Sequence, residues 1–271
     1  MKKFEGILLC SDLDGTLLTD DKSVSEENRD AIEYFKSEGG LFTFITGRPP
    51  MIAKGVYEMV KPNAPIGCFN GGGIYDFESG KYLWSVELPK EAVELVKYAV
   101  SLFPDMGVQF NTQNRIIFTH ENPATVWFRE VVNISKDACD IDDINEATMK
   151  IVFCHKDPST LERLTKALNE HPKSKMFDFI RSEESLYEIL PKGISKGNLL
   201  LKLAEILGID QKKTVAVGDY NNDISMIKAA GIGYAVANAV PEAKAVADRI
   251  TVSNLDHAIA RIIEDLDKEF S

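Results

Sequence analysis

The sequence predicts an α/β protein with a doubly wound, mostly parallel core sheet and an inserted α+β domain. Three observations predict it. Apolar runs near both ends of the chain, such as Ile7-Leu8-Leu9-Cys10 and Thr214-Val215-Ala216-Val217, are continuous rather than alternating, as in strands covered on both faces. Stretches with helical spacing of apolar residues separate those runs. Between about residues 85 and 191 the texture changes to alternation such as Phe177-Asp178-Phe179-Ile180, which suits an antiparallel sheet solvated on one side.

Taken in order, the first strand covers residues 7–10 and runs into Asp12-Leu13-Asp14-Gly15-Thr16. Ser23 and Glu26 have the spacing of a capping box. They predict the start of a helix carrying Ile32 and Phe35, which Gly39-Gly40 ends. A second strand, residues 41–45, meets the stop Thr46-Gly47-Arg48-Pro49-Pro50. A third apolar run, residues 65–69, meets Asn70-Gly71-Gly72-Gly73. In the insert, Pro89 opens a helix through Val93, Val96 and Val100, and hairpin-like strands follow at 108–110 and 116–119. Strands at 149–154 and 185–190 bracket a helix over 158–169. The core rhythm resumes at 197–207, where Leu199, Leu200, Leu203, Ile206 and Leu207 fall at helical spacing before the stop Gly208. A strand at 214–218, an Asp-rich turn and a short helix through Met226 and Ile227 come next. Apolar runs at 232–237 and 250–252 complete a Rossmann-like core. The core is therefore assigned residues 1–84 and 192–271, and the insert residues 85–191.

Bulk properties narrow the function. A chain of 271 residues with 44% hydrophobic and 27% charged residues has the composition of an ordinary globular protein. Its net charge of −11 argues against a nucleic-acid partner, because phosphate backbones are met by an excess of Lys and Arg. A small phosphate remains compatible if a metal ion or a local lysine offsets charge in the site. No apolar stretch approaches the roughly 20 residues that span a bilayer, and Met1-Lys2-Lys3 is followed by too short an apolar run for a signal peptide. Cys10, Cys68, Cys139 and Cys154 form no CxxC pair, and three of them lie in apolar runs. These features point to a cytoplasmic location, with no membrane partner.

The chemistry is concentrated at strand ends. Asp12 and Asp14 emerge where a buried strand gives way to a loop, the place where open α/β sheets bind ligands. Two carboxylates so close repel each other unless a cation or hydrogen bonds compensate, and a hard ion such as Mg²⁺ would do so. The second cluster, Gly218-Asp219-Tyr220-Asn221-Asn222-Asp223, again follows a strand and offers several oxygen ligands on one turn. Alone it reads equally well as a solvated turn, with Asp223 capping the next helix. Thr46 ends a strand before Gly47. A hydroxyl followed by free backbone N–H groups suits phosphate oxygens, although a strand-end Thr is also ordinary. Lys196 precedes a long helix, where lysines are commonly solvated.

Taken together, Asp12-Leu13-Asp14-Gly15-Thr16, Thr46-Gly47-Arg48, Lys196 and Gly218-Asp219 with Asn222-Asp223 resemble the haloacid dehalogenase superfamily. More narrowly, they are similar to its Cof-type sugar-phosphate phosphatases, with a class IIB α/β cap between the second and third motifs. Asn70-Gly71-Gly72 resembles that subgroup's Asn-Gly-Ala, with Gly in place of Ala. The resemblance implies Asp12 as nucleophile and Asp14 as general acid and base. It implies that Mg²⁺ is held by Asp12, Asp219, Asp223 and the backbone carbonyl of Asp14. It implies phosphate or substrate contacts from Thr46, Gly47, Arg48, Asn70 and Gly71, a phosphate contact or support of the metal site from Asn222, and Lys196 neutralising charge on Asp12 and the phosphate.

Elementary chemistry agrees with those roles. A carboxylate can attack phosphorus to give an aspartyl phosphate, and a second group must then protonate the leaving alkoxide and activate water. None of His120, His155, His171 and His257 falls in the motifs. The insert is expected to act as a lid, with Asn114, Arg115 and Arg181 as candidate substrate contacts against the alternative of ordinary solvated groups. The expected function is Mg²⁺-dependent hydrolysis of a small phosphorylated metabolite, in the first place a sugar phosphate, by a monomer or weak homodimer. The rivals are a phosphotransferase or mutase, and a non-catalytic sensor of a phosphorylated metabolite.

Overall fold

The computed structural model describes residues 2–269. From the N-terminus, β1 (Leu8–Ser11), α1 (Glu26–Ser37), β2 (Leu41–Phe44), α2 (Pro50–Val60) and β3 (Ile66–Cys68) alternate, followed by β4 (Gly73–Asp76) and β5 (Lys81–Ser85). Next come α3 (Ala92–Leu102), β6 (Gly107–Thr112), β7 (Ile116–His120), α4 (Pro123–Val131), β8 (Thr148–Cys154), α5 (Pro158–Glu170), β9 (Phe177–Glu183) and β10 (Leu186–Pro191). The chain ends with α6 (Lys196–Leu207), β11 (Thr214–Gly218), α7 (Ile224–Ala229), β12 (Ile232–Ala235), α8 (Pro241–Lys244), β13 (Arg249–Ile250) and α9 (Ala258–Glu269). The structure divides into two units, one running through Trp84 and again from Ser195 onward, the other Ser85–Ile194.

In the first unit the main sheet has the order β13-β12-β11-β1-β2, with every neighbouring pair parallel. Alternate residues of β1 enter two separate cores. Leu9 joins Ile32 and Phe35 of α1, Val56 and Val60 of α2, and Ile259, Ile262 and Ile263 of α9. Leu8 and Cys10 join Leu199, Leu200 and Leu203 of α6 and Met226 of α7 on the other face. The continuous apolar strands are explained by this double covering. A second, antiparallel element pairs β3 with β4. The chain places β2 on one side of β1 and, much later, β11 on the other. The switch point of the sheet therefore lies at the end of β1.

The second unit is an antiparallel five-stranded sheet in the order β7-β6-β8-β10-β9. Helices α3 and α5 cover one face, packing Leu95, Val96, Leu161, Leu164 and Leu168 against Phe110, Ile151, Phe153 and Ile189. A smaller cluster joins Ala124 of α4 to Val152 and Cys154. None of the four cysteines forms a disulfide. No described helix is long and apolar enough to cross a membrane.

One local expectation is corrected and one is refined. Ser25, not Ser23, caps α1 by accepting from the Asn28 N–H, while Ser23 donates its own N–H and hydroxyl to Asp21. The serine nearer the helix wins because its extended backbone puts the hydroxyl over the first turn. Ile206, which shares the helical spacing of its apolar neighbours, is 40% exposed, whereas Leu199, Leu200 and Leu203 are fully buried. A helix covering one face of a sheet buries only part of its circumference.

Leu203→Ala should therefore cost about 2–5 kcal/mol by leaving a cavity, and Ile206→Ala less than about 0.5 kcal/mol. Urea unfolding of the two variants measures the contrast.

Candidate active site

The site is assembled where β1 and β11 end side by side. Ser11 pairs with Val217, and the Asp12 N–H donates to the Val217 carbonyl at 2.9 Å. The two acidic clusters thus leave adjacent strands in the same direction. Three bonds shape the first loop. The Ser11 hydroxyl donates to the Asp12 carbonyl at 2.6 Å, the Thr16 hydroxyl to Asp219 Oδ1 at 2.9 Å, and Asn238 Nδ2 to the Gly15 carbonyl at 2.8 Å. Gly15 has φ +76°, and a Cβ there would lie 2.6 Å from Asp219 Oδ2. Only glycine meets both demands.

Asp223 stands at the N-terminus of α7 yet does not cap it. Its Oδ2 instead accepts the N–H groups of Asp219 at 3.0 Å and Tyr220 at 3.1 Å, folding the acidic turn around its own carboxylate. Its Oδ1 accepts from Lys196 Nζ at 2.6 Å, and the same ammonium donates to Asp12 Oδ1 at 2.5 Å. Lys196 is 1% exposed and is delivered by the first turn of α6, which Ser195 caps. A lysine at a helix start is commonly solvated; this one is enclosed by the two carboxylates it joins.

One carboxylate oxygen each from Asp12, Asp219 and Asp223 lie within 4.8 Å of one another. Burial, then the charge of Asp223, pushes the Asp12 carboxyl well above the usual carboxylate range against the pull of Lys196. The same two causes push Asp219 up to about 7. Burial disfavours the charged form of Lys196, but Asp12 and Asp223 outweigh it and hold the ammonium protonated. Three carboxylates face one lysine, so the ionised set keeps an excess of negative charge. All-oxygen donors with that excess fit a hard divalent cation such as Mg²⁺.

A second group surrounds Asp14. Its carboxylate receives Arg48 through Nε at 2.9 Å and Nη2 at 2.7 Å, and Lys22 Nζ at 2.8 Å. Burial would raise this carboxyl, but Arg48 first and Lys22 next bring it below its ordinary value. A third group follows β2 and β3. Thr46 Oγ1 accepts the Arg48 N–H at 3.2 Å, the Asn70 N–H donates to the Thr46 carbonyl at 3.0 Å, and Asn222 Nδ2 donates to Asn70 Oδ1 at 3.0 Å. Gly47 lies directly under the Asn70 amide. Gly71, at φ +111°, passes so close to Ser195 that a Cβ would sit 2.3 Å from its carbonyl oxygen.

Asp12, Asp14, Thr46, Arg48, Asn70, Lys196, Asp219, Asn222 and Asp223 therefore lie in three bonded groups within the first unit, with Gly47 packed against the third and Gly71 against Ser195. Sequence reasoning missed Lys22, Thr16 and Asn238 as participants. Thr16 lay within the first motif, whereas nothing in the local pattern around Lys22 or Asn238 signals a partner so distant in fold or chain. In the insert, Arg115 is paired with Asp137 and Glu146, Arg181 donates to the carbonyls of Glu183 and Glu184, and the Asn114 N–H donates to Thr112.

Residues 9–263 match the family described as haloacid dehalogenase-like hydrolase. The 5-amino-6-(5-phospho-D-ribitylamino)uracil phosphatase YcsE of Bacillus subtilis (strain 168) is 30% identical over 258 residues, covering 94% of each chain. The pyridoxal phosphate phosphatase YbhA of Escherichia coli (strain K12) is 27% identical over 270 residues, covering 94% of this chain and 97% of its own. The crystal structure of a haloacid dehalogenase-like hydrolase from Bacteroides thetaiotaomicron matches with a TM-score of 0.83 at 26% identity, covering 96% of this chain and 99% of that one.

Two outcomes follow from the charge arrangement. Lys196→Met leaves Asp12 and Asp223 buried without their cation, so stability should fall by about 3–5 kcal/mol at pH 8 and by less at pH 5; denaturant titrations at the two pH values test this. Asp219 is raised from an ordinary 3.8 to about 7, so in metal-free protein its contribution is full below the unfolded value and is lost as pH rises through about 7. A divalent cation needs the ionised form. Mg²⁺ should therefore raise Tm clearly at pH 8 and little at pH 5, as thermal melts with and without the ion will measure.

Proposed function

The chain belongs to the haloacid dehalogenase-like hydrolase family, and from that premise we propose that it is a Mg²⁺-dependent phosphatase of the Cof type, acting through an aspartyl phosphate. One observation carries this reading. Asp12, Asp219 and Asp223 converge to within 4.8 Å at the ends of adjacent parallel strands, with buried Lys196 joining two of them.

In this reading Mg²⁺ is held by the carboxylates of Asp12, Asp219 and Asp223 and the carbonyl of Asp14. When bound, it offsets carboxylate charge and polarises a phosphoryl oxygen. Lys196 orients the Asp12 carboxylate and favours its ionised form against the burial and the Asp223 charge that raise it. The Thr46 hydroxyl and the N–H groups that follow it, together with Asn70, Gly71 and Asn222, receive the remaining phosphoryl oxygens. Arg48 spends two of its five N–H donors on Asp14 and has others for the substrate.

Asp12 attacks phosphorus, forming an O–P bond as the bond from phosphorus to the ester oxygen breaks. Asp14 in its protonated form gives the proton to the departing alkoxide, while Arg48 and Lys22 favour the ionised form that then serves as base. Water then attacks the same phosphorus; Asp14 takes the water's proton, the Asp12–phosphorus bond breaks, and inorganic phosphate leaves. Most of the rate enhancement in such transfers is electrostatic.

The substrate we infer is a small phosphorylated metabolite, with sugar phosphates first. Relatives that span nearly the whole chain are named for a phosphorylated ribityl compound and for pyridoxal phosphate, which supports that class. The insert is read as the lid that sets specificity. Four cysteines that form no disulfide support a cytoplasmic setting.

A panel of phosphorylated metabolites with Mg²⁺ should show hydrolysis of sugar phosphates that EDTA abolishes. Asp12→Asn should lower kcat/KM by at least about a thousandfold. Wild-type rates in that variant, measured by phosphate release, would falsify the mechanism.

A further inference from the structure

We propose that Lys22 is a positioning residue that holds the Asp14 carboxylate in the orientation its proton transfer needs. The inference rests on the phosphatase reading above, which gives Asp14 that transfer.

Lys22 Nζ donates to Asp14 Oδ1 at 2.8 Å, and Arg48 Nη2 reaches the same oxygen at 2.7 Å, while Arg48 Nε takes Oδ2 at 2.9 Å. A carboxylate oxygen offers two acceptor sites. Oδ1 is filled by two cationic donors, whereas Oδ2 keeps a site open for a proton. Rotating the carboxylate breaks three charge-assisted bonds at once. Lys22 thus decides which oxygen faces the chemistry, and it does so from outside the group that touches the phosphate.

The backbone supports the same conclusion. Lys22 has φ +63°, a left-handed conformation that a side chain with a Cβ adopts at a cost and glycine does not. Asp21 Oδ1 holds it there, accepting the Thr19 hydroxyl at 2.5 Å, the Ser23 hydroxyl at 2.7 Å and the Ser23 N–H at 3.1 Å. The Lys22 N–H donates to the Thr19 carbonyl and the Thr19 N–H to that of Ser23. A turn needing only its shape is better served by glycine at this position. Nor is the ion pair a stability device. Its side chains are 52% and 33% exposed, and exposed pairs contribute little. What a strained lysine supplies is its ammonium on Asp14.

The test uses the full-length protein with Mg²⁺ and a sugar phosphate that the wild type hydrolyses. Lys22→Gly should keep or raise Tm, because it relieves the backbone, while kcat falls about tenfold and KM stays within about twofold. Lys22→Arg should return kcat to within about threefold of wild type. Asp21→Ala, which loosens the turn without touching Asp14, should lower kcat in the same direction. The Asp21→Ala/Lys22→Gly double variant should be no slower than Lys22→Gly alone. A Lys22→Gly enzyme with wild-type kcat overturns the proposal. So does a large rise in KM at unchanged kcat, which would make Lys22 a substrate contact. An inactive wild type would instead refute the phosphatase reading.

Discussion

The ammonium of Lys196 between Asp12 and Asp223 is the interaction on which the rest of the site depends. Three carboxylates, two buried and one half-buried, crowded to within 4.8 Å repel one another and lose hydration together. One fully enclosed lysine with two short contacts offsets part of that cost in a low-dielectric setting. It also ties three distant pieces of chain to one point: the end of β1, the turn after β11 and the start of α6. A divalent cation would complete the neutralisation and would find these ligands already converged.

That convergence is a consequence of sheet order. Parallel strands deliver their C-terminal ends to the same edge, and β11 lies beside β1 although some 200 residues separate them. Each strand is anchored by apolar side chains on both faces, so the loops at its end start from a rigid base. The loops are then shaped by side-chain to backbone bonds within themselves, as when Asp223 closes the turn that carries Asp219. Asp14 is held by a different set, Arg48 and Lys22. The environment therefore separates two carboxylates that are neighbours in sequence: burial and Asp223 push Asp12 up, while Arg48 and Lys22 bring Asp14 down.

Much of this was legible from the chain alone, and the reason differs by element. The continuous runs at β1, β2 and β11 signalled buried parallel strands because both faces had to be apolar. The change to alternation past residue 85 signalled an antiparallel sheet, which forms, but the expected solvated side is missing from its central strands, since β6, β8 and β10 are buried along nearly their whole length. Helices α2, α4 and α9 escaped the reading because Pro49-Pro50, and loops rich in polar residues, hid their starts. The cap of α1 was misplaced by two residues because Ser23 and Ser25 both satisfy the residue preference, and only backbone direction separates them.

By itself the sequence determined the residue types at each strand end: two acidic clusters, a hydroxyl before a glycine, and a lysine before a long helix. Those types, in that order, carried the resemblance to the haloacid dehalogenase-like hydrolases, the family to which the chain belongs. What only the tertiary structure decided is who faces whom. Lys196 could have been a solvated helix-start lysine and Asp223 an ordinary cap. Asp14 could have stood without the grip of Arg48 and Lys22. Each of those outcomes depends on contacts between segments 8 to 184 residues apart, and local pattern carries no record of distance in space.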